Sequence, residues 1–324
     1  MMQTMQKKWS KYKRPEQDAR GPLRFTDRDA EILELFSPNE FRFLTGEIIS
    51  CITRRHIKSI RRRLRTLWEH EYLSKYYPPN SYESVNNKEG GSQKAVYYLC
   101  ERGRTFLSEH LERRIRKVIF DPSAPHPNLP HTIATNRFRG LVMAACDQAG
   151  VDMPYSYPDR HFISMSFRLG WSQDALETTL EPDWFFAIKD GGKPIRNFFL
   201  ELQTAKRRTK TTRQAKERAK TLLTKFRKYY YFWKKKITDK YPNEKYSDIQ
   251  ELRRMRVLVL VTDDMKDQEF ENLIALSKQA DEQGMGVRLF WFARAADFDL
   301  TQPKSAFKPV WRTAVDKERY SLVN

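Results

Sequence analysis

Between Glu181 and Gln203 the chain has one economical fold. Trp184 to Ile188 is an aromatic and branched run, Asp190-Gly191-Gly192-Lys193-Pro194 is a turn cluster, and Ile195 to Leu202 is a second apolar run. Strand, turn, strand is the predicted order. Side chains alternate along a strand, so Phe199, Glu201 and Gln203 share one face of the second strand, and Phe198, Leu200 and Leu202 share the other. Pairing this strand back on the first returns Glu201 toward Asp183, which follows Pro182 at the open end of the hairpin. Two close carboxylates repel unless a metal ion or a proton intervenes. Strand-borne acids placed in this way can hold a divalent cation against a phosphate, which makes Asp183 and Glu201 candidate metal ligands.

The chain is longer than one average domain, with 324 residues, so two domains with connectors are expected, each with core enough of its own. Its formal charge of +19 points to a polyanion, most often nucleic acid, with an anionic membrane surface as the competing partner. No apolar stretch approaches the roughly 20 residues that span a bilayer, and Met1 to Arg20 is polar and basic with no signal-peptide core. A soluble, cytoplasmic protein without membrane insertion is expected. Cys51, Cys100 and Cys146 lie far apart and form no CxxC, which fits buried, reduced thiols rather than a disulfide framework or a cysteine zinc site.

After a basic tail over residues 1–22, Thr26 with Asp29 three residues on opens an apolar-periodic stretch that ends at Ser37-Pro38-Asn39. A short second helix is predicted around Glu47 to Cys51, and Thr53 is placed to cap a third helix running to about His70. In that third helix Ile57, Ile60, Leu64 and Leu67 form the packing face, while Arg54, Lys58, Arg61, Arg62 and Arg65 form a cationic one, with Arg55 beside it. Tyr72 to Tyr77 reads as a strand, Pro78 to Gln93 as a polar loop and Lys94 to Leu99 as the return strand. The order is that of a helix-turn-helix with a wing, spanning residues 23–120. Its third helix suits a DNA major groove, with the loop before Lys94 crossing the backbone or the minor groove. His56, His70 and His110 have no second ligand at metal spacing and read as packing or surface histidines.

Asp121 to Pro130 carries four prolines and reads as a linker, so the second domain is expected over residues 131–324. A helix over Thr132 to about Gln148 and a strand through Phe162 to Phe167 precede the hairpin. From Thr204 to Lys236 there are 14 Lys or Arg against one Glu, a net +13, so dense that an anionic partner is needed; Arg207, Arg208 and Lys210 are candidate DNA contacts. Within this block Phe226, Tyr229, Tyr230 and Trp233 fall at helical spacing and read as the core face of a helix on the sheet, although exposed rings there would stack on unpaired bases. Val257 to Val261, Gln268 to Glu282 and Val287 to Phe292 then read as strand, helix, strand, a parallel pair covered by helices. The predicted class is α/β and multi-domain, a winged helix-turn-helix followed by a mixed-sheet domain.

A helix, a meander holding Pro182-Asp183 and then Glu201-Leu202-Gln203, a crossover helix and further strands resemble the PD-(D/E)xK restriction-endonuclease-like core, over about the last 190 residues. Taken with the stretch Leu23-Arg24-Phe25-Thr26-Asp27-Arg28-Asp29, the Pro130-His131-Thr132 start of the second half and the tail Pro309-Val310-Trp311, the whole chain resembles the replication-relaxation family and the related MOBC class of plasmid mobilisation relaxases.

The resemblance implies nicking of DNA, a duplex with a single-stranded region, at an origin of transfer or replication, together with other relaxosome or replication proteins. It implies Mg²⁺ or Mn²⁺ held by Asp183 and Glu201, polarising the phosphate and lowering the pKa of an attacking water. Gln203 departs from the family's usual lysine, since an amide can orient a water but supplies no charge. Lys206 or another base of the adjacent block is the expected substitute. Glu181, His131 and Asn136 are lesser contributors, the last two from a second side. A histidine cluster with a tyrosine nucleophile needs two histidines two apart on a strand, which none of the six provides; Tyr229, Tyr230 and Tyr231 stay open on sequence alone. No GxxxxGK[ST] supports an ATP-driven activity. The alternative function is a non-catalytic DNA-binding accessory or regulatory protein with a degenerate nuclease fold.

Overall fold

The computed structural model describes residues 23–37, 41–78, 94–112, 114–115, 128–158, 167–168, 177–178, 180–204, 212–238, 254–263, 265–281 and 287–323. Two compact units divide between Asn136 and Arg137, inside a helix that runs from Leu129 to Ala149. Both units mix helix and sheet. No helix among the described residues is long and apolar enough to cross a membrane.

In the first unit, α1 (Asp27–Glu34), β1 (Leu44–Thr45), α2 (Gly46–Thr53), α3 (Ile57–Glu69), β2 (Leu73–Tyr76), β3 (Val96–Leu99) and α4 (Glu101–His110) follow one another, and α5 is the helix Leu129–Ala149. The strands form an antiparallel sheet in the order β1-β3-β2, with Leu44 opposite Tyr97 and Leu73 opposite Leu99. α1 starts where Thr26 donates its backbone N–H to Asp29 Oδ2 at 2.7 Å. Asp29 is fully buried, and Arg63 of α3 pairs with it, which ties α3 to the start of α1.

Thr53 does not cap α3. Its hydroxyl donates to the Ile49 carbonyl at 2.7 Å and closes α2, Arg54 takes the left-handed conformation at φ 53°, and His56 Nδ1 accepts from the Lys58 N–H as the actual cap. Arg54 and Arg55 therefore precede α3. The helix buries Ile60, Leu64, Leu67 and Trp68 and exposes Lys58, Arg61, Arg62 and Arg65. Gly103 lets α4 approach β2, for a Cβ there would stand 2.2 Å from the Tyr72 carbonyl oxygen.

Pro130 is a correction to the linker, because it lies in the first turn of α5, where the missing N–H costs no helical hydrogen bond. The rest of the expected linker, except residue 128 onward, is outside the described residues, as are most of the expected wing loop and residues 162–166 of the expected strand.

The second unit holds the remainder of α5, then β4 (Ser156–Pro158), β5 (Phe167–Arg168), β6 (Glu177–Thr178), β7 (Trp184–Ile188), β8 (Arg196–Gln203), α6 (Thr212–Thr238), β9 (Met255–Val261), α7 (Asp267–Ser277) and β10 (Phe290–Arg294). Its main sheet has the order β10-β9-β8-β7-β4. β4, β7 and β8 form an antiparallel meander, and β8, β9 and β10 run parallel, joined by α6 and α7 as crossovers. β10 starts three residues later than its apolar run suggests, since Val287 to Leu289 form the approach to the strand.

The register Trp184↔Leu200 and Ile188↔Arg196 puts aromatic pairs on both faces of the sheet. On one face Phe185, Phe199, Val257, Val259, Phe290 and Phe292 pack under α6 and α7, which bury Phe226, Tyr229, Phe232, Phe270 and Leu273 against them. The buried α6 stripe is thus Phe226, Tyr229 and Phe232, while Tyr230 and Trp233, expected in it, pack half-buried at its edge. On the opposite face Trp184 stacks on Phe186 and meets Phe138 of α5 edge-on, with Trp311 of the C-terminal segment beside it.

Candidate metal and phosphate site

Asp183 lies one residue before β7 and Glu201 lies inside β8. Continuing the β7–β8 register by one step sets the two opposite each other, and directly opposed residues of antiparallel strands share a face. Backbone bonds hold the position: Asp183 N–H donates to the Leu200 carbonyl at 3.0 Å, and its Oδ2 accepts from the Leu202 N–H at 2.7 Å. The aspartate is therefore aimed by the strand it faces. A strand of alternating character gives Glu201 to the α6 side, where it is 2 % exposed.

Two side chains of α6 reach this buried carboxylate. Lys225 Nζ pairs with Glu201 Oε2, and Tyr229 donates its hydroxyl to Glu201 Oε1 at 2.5 Å. Residues four apart on a helix lie on one face, so a single turn of α6 delivers both donors. Burial pushes the Glu201 carboxyl up to about 7, with the Asp183 charge adding to the rise and the Lys225 charge opposing it. Burial alone lowers the Lys225 ammonium, but Glu201 and then Asp183 outweigh it and hold the group above its ordinary value. The Tyr229 hydroxyl is raised well above the ordinary phenol by burial and by Glu201. A buried phenol held protonated in this way is a poor nucleophile.

The donor chemistry fits a hard divalent ion. Asp183 and Glu201 offer oxygen only, and Mg²⁺ keeps several waters and takes one or two carboxylates rather than a full protein cage. No cluster of three or more His, Cys, Asp or Glu suited to a metal occurs among the described residues. Glu201 Oε2 accepts from Lys225, so an ion would either share that oxygen with the ammonium or displace it.

The sequence offered Lys225 only as an unnamed base of the adjacent block and Tyr229 as a core residue or an open nucleophile candidate, and it singled out neither as a partner of Glu201. The usable signal was their four-residue spacing on α6. Gln203 ends β8 on the same side as Glu201, half-buried, and its carbonyl accepts from the Thr262 N–H at 3.0 Å. Glu181 is exposed, and its charge acts on Lys225. Lys206, Arg207, Arg208 and Lys210 are outside the described residues. In the first unit Asn136 is buried and donates its amide to the Phe43 carbonyl at 2.8 Å, and His131 is half-buried on α5.

The cationic residues of the first unit divide by contact. Arg55 pairs with Glu31 at 2.5 Å, Arg61 with Glu47 at 2.8 Å and Arg65 with Glu69 at 2.8 Å. Lys58 and Arg62 are exposed and make no ion pair among the described residues, while Arg54 is exposed at the α2 terminus. Lys94 is half-buried, and its charge, after the Arg61 hydrogen bond, helps hold the Glu47 carboxyl below its ordinary value against the effect of burial.

The sequence matches the family described as replication-relaxation over residues 35–244, which is more than half of the chain. No curated protein and no solved structure matches it.

Proposed function

The chain belongs to the replication-relaxation family, and we propose that it is a metal-dependent DNA-nicking endonuclease of the MOBC relaxase kind, acting at a plasmid or mobile-element origin of transfer or replication. The observation that carries this reading is the meeting of Asp183, just before β7, with Glu201 of β8 and Lys225 of the following crossover helix, two acids and a base. The α5, β4-β7-β8 meander, α6, β9 order supports a PD-(D/E)xK reading of the second unit. The three helices and antiparallel β1-β3-β2 sheet support a winged-helix reading of the first.

A bound Mg²⁺ or Mn²⁺ supplies a Lewis acid for the scissile phosphate and a water of lowered pKa. Asp183 and Glu201 hold that ion. Lys225 supplies the positive charge that Gln203 lacks, and on leaving Glu201 it can neutralise charge that develops on the phosphate. Gln203 orients a water by hydrogen bonding. Tyr229 keeps Glu201 in place as a positioning residue.

A second reading has its own observation. Both Glu201 oxygens are occupied by protein donors, as they would be in a DNA-binding accessory protein whose nuclease fold is purely structural. Supercoiled plasmid carrying the cognate origin separates the two. With Mg²⁺ or Mn²⁺, wild type should yield open circles, and Asp183→Ala and Glu201→Ala variants that still bind DNA should not. Equal open-circle yield from all three proteins sinks the nuclease reading and leaves the accessory one.

A further inference from the structure

Beside the Glu201 pair the second unit opens a cleft of about 490 Å³, lined by Leu180, Glu181, Lys220, Thr221, Thr224, Lys225 and Lys228. Five of these seven residues belong to α6. A rise of about 1.5 Å per residue sets the backbones of Lys220 and Lys228 about 12 Å apart along the helix axis, with Lys225 between them in sequence and paired with Glu201. Lys220 is exposed and Lys228 half-buried, so both ammonium groups are on stems long enough to follow a ligand in the cleft. Thr221 and Thr224 line the wall between them, and the Thr224 hydroxyl donates to the Lys220 carbonyl at 2.9 Å, which leaves the lysines as the groups that can meet an anion. Glu181 is the one acid among the described residues of the lining, next to Leu180 in the chain.

Lysines spaced along one helix, with one acid among the described residues of the lining, suit a chain of regularly spaced anions better than one small anion. The arrangement also suits a sugar-phosphate strand, because three lysines stand against one acid among the described residues of the lining, and their aliphatic stems give the sugars apolar surface to lie on. We infer that the α6 cleft is a phosphate track, in which Lys220 and Lys228 grip phosphodiester groups of one nucleic-acid strand on either side of the phosphate presented to Asp183, Glu201 and Lys225. The track deepens the nuclease reading by stating how the strand is laid across the acids. Its grip on phosphate is independent of cleavage, so it is tested with the metal withheld.

The test is equilibrium binding of the full-length protein to fluorescein-labelled oligonucleotides in EDTA, single-stranded and duplex, over a series of salt concentrations. Each phosphate contact contributes about 0.7 to the slope of log affinity on log salt for a single strand and about 0.9 for a duplex. Lys220→Gln with Lys228→Gln should therefore lower the slope by about 1.4 on the single strand or about 1.8 on the duplex, and the form affected identifies the ligand of the cleft. Lys220→Arg with Lys228→Arg should restore it. Lys234→Gln, an exposed lysine of α6 outside the cleft lining, should leave the slope near that of wild type. The track is overturned if the double glutamine variant keeps the wild-type slope on both oligonucleotides, or if Lys234→Gln lowers it by as much per charge removed, since the charge of α6 would then act diffusely. Absence of nicking by wild type in a separate assay with Mg²⁺ or Mn²⁺, with the slopes behaving as stated, would remove the nuclease reading and leave the track standing.

Discussion

Lys225 of α6 pairs its ammonium with Oε2 of Glu201 on β8, across 24 residues of sequence. The base that Gln203 fails to provide two residues along the strand is brought from the helix that covers the strand. Both arrangements set one positive charge beside the same acid, but they differ in control. A lysine on the strand would stand beside the acid on the same strand, whereas Lys225 comes from the covering helix and is 35 % exposed, so that on the proposed mechanism it would turn from Glu201 to a phosphate.

Lys225→Met tests that pairing. It leaves the Glu201 carboxylate buried with one donor lost, which should cost about 2 kcal/mol in urea unfolding at pH 8. On the proposed mechanism nicking should fall about 100-fold or more, since a charge aimed at the reacting phosphate is lost. Lys225→Arg should recover most of the stability. A methionine variant as active as wild type would remove Lys225 from the chemistry.

Glu201 gives stability a pH dependence of defined sign. Its carboxyl titrates near the ordinary carboxylate value when unfolded and at about 7 when folded, so the folded state binds the proton more tightly. This contribution is fully present below about pH 4.5 and is lost as the pH rises through about 7. Glu201→Gln, which cannot ionise, should flatten the stability profile over that window when unfolding is followed by circular dichroism. An unchanged profile would mean that Glu201 stays ionised throughout.

The proposed ion should read out as stabilisation without DNA. Ligand present at about 100 times its Kd contributes about 2.7 kcal/mol, so a rise in Tm with Mg²⁺ or Mn²⁺ is expected in wild type and not in Asp183→Asn. The rise should grow as the pH passes about 7, because a divalent ion needs the ionised Glu201 carboxylate. Calcium should compete through the same oxygen ligands.

Tyr229→Phe separates positioning from covalent chemistry. The ring stays packed edge-on against Phe199, at 5.8 Å between centroids, and only the hydrogen bond to Glu201 is lost. Stability should drop by about 1 to 3 kcal/mol, and nicking should fall without vanishing. No DNA-protein adduct should appear on denaturing gels with either protein. An adduct formed by wild type and absent from the variant would instead make Tyr229 the nucleophile.

The hairpin was legible because its information is local: alternation, a Gly-Gly turn and the position of two acids fix which carboxylates oppose each other. The Lys225–Glu201 pair was not, because it depends on how α6 is rotated against the sheet. The sequence offers several aromatic stripes for that helix, and the choice of Phe226, Tyr229 and Phe232 over Tyr230 and Trp233 is made by the shape of Phe199, Phe290 and Phe292 beneath it. Thr53 failed as a cap for a related reason. Threonine serves equally as an N-cap or as a partner for a carbonyl four residues back, and the left-handed turn at Arg54 decided between the two.

The basic residues around α3 divide into two kinds that one charge count cannot distinguish. Arg63 is tied to the fully buried Asp29 and Arg55 to Glu31, whereas Lys58 and Arg62 face solvent. Arg63→Gln should lower the unfolding midpoint, because a buried aspartate loses its charged partner, and any loss of DNA affinity should follow the loss of folded protein. Lys58→Gln with Arg62→Gln should leave the midpoint within about 0.5 kcal/mol of wild type. On duplex DNA the same pair should weaken binding and reduce the salt slope by about 1.8, the value for two phosphate contacts. If affinity and slope are unchanged while the α6 cleft variants lose both, the first unit does not grip the duplex through α3, and DNA binding belongs to the second unit alone.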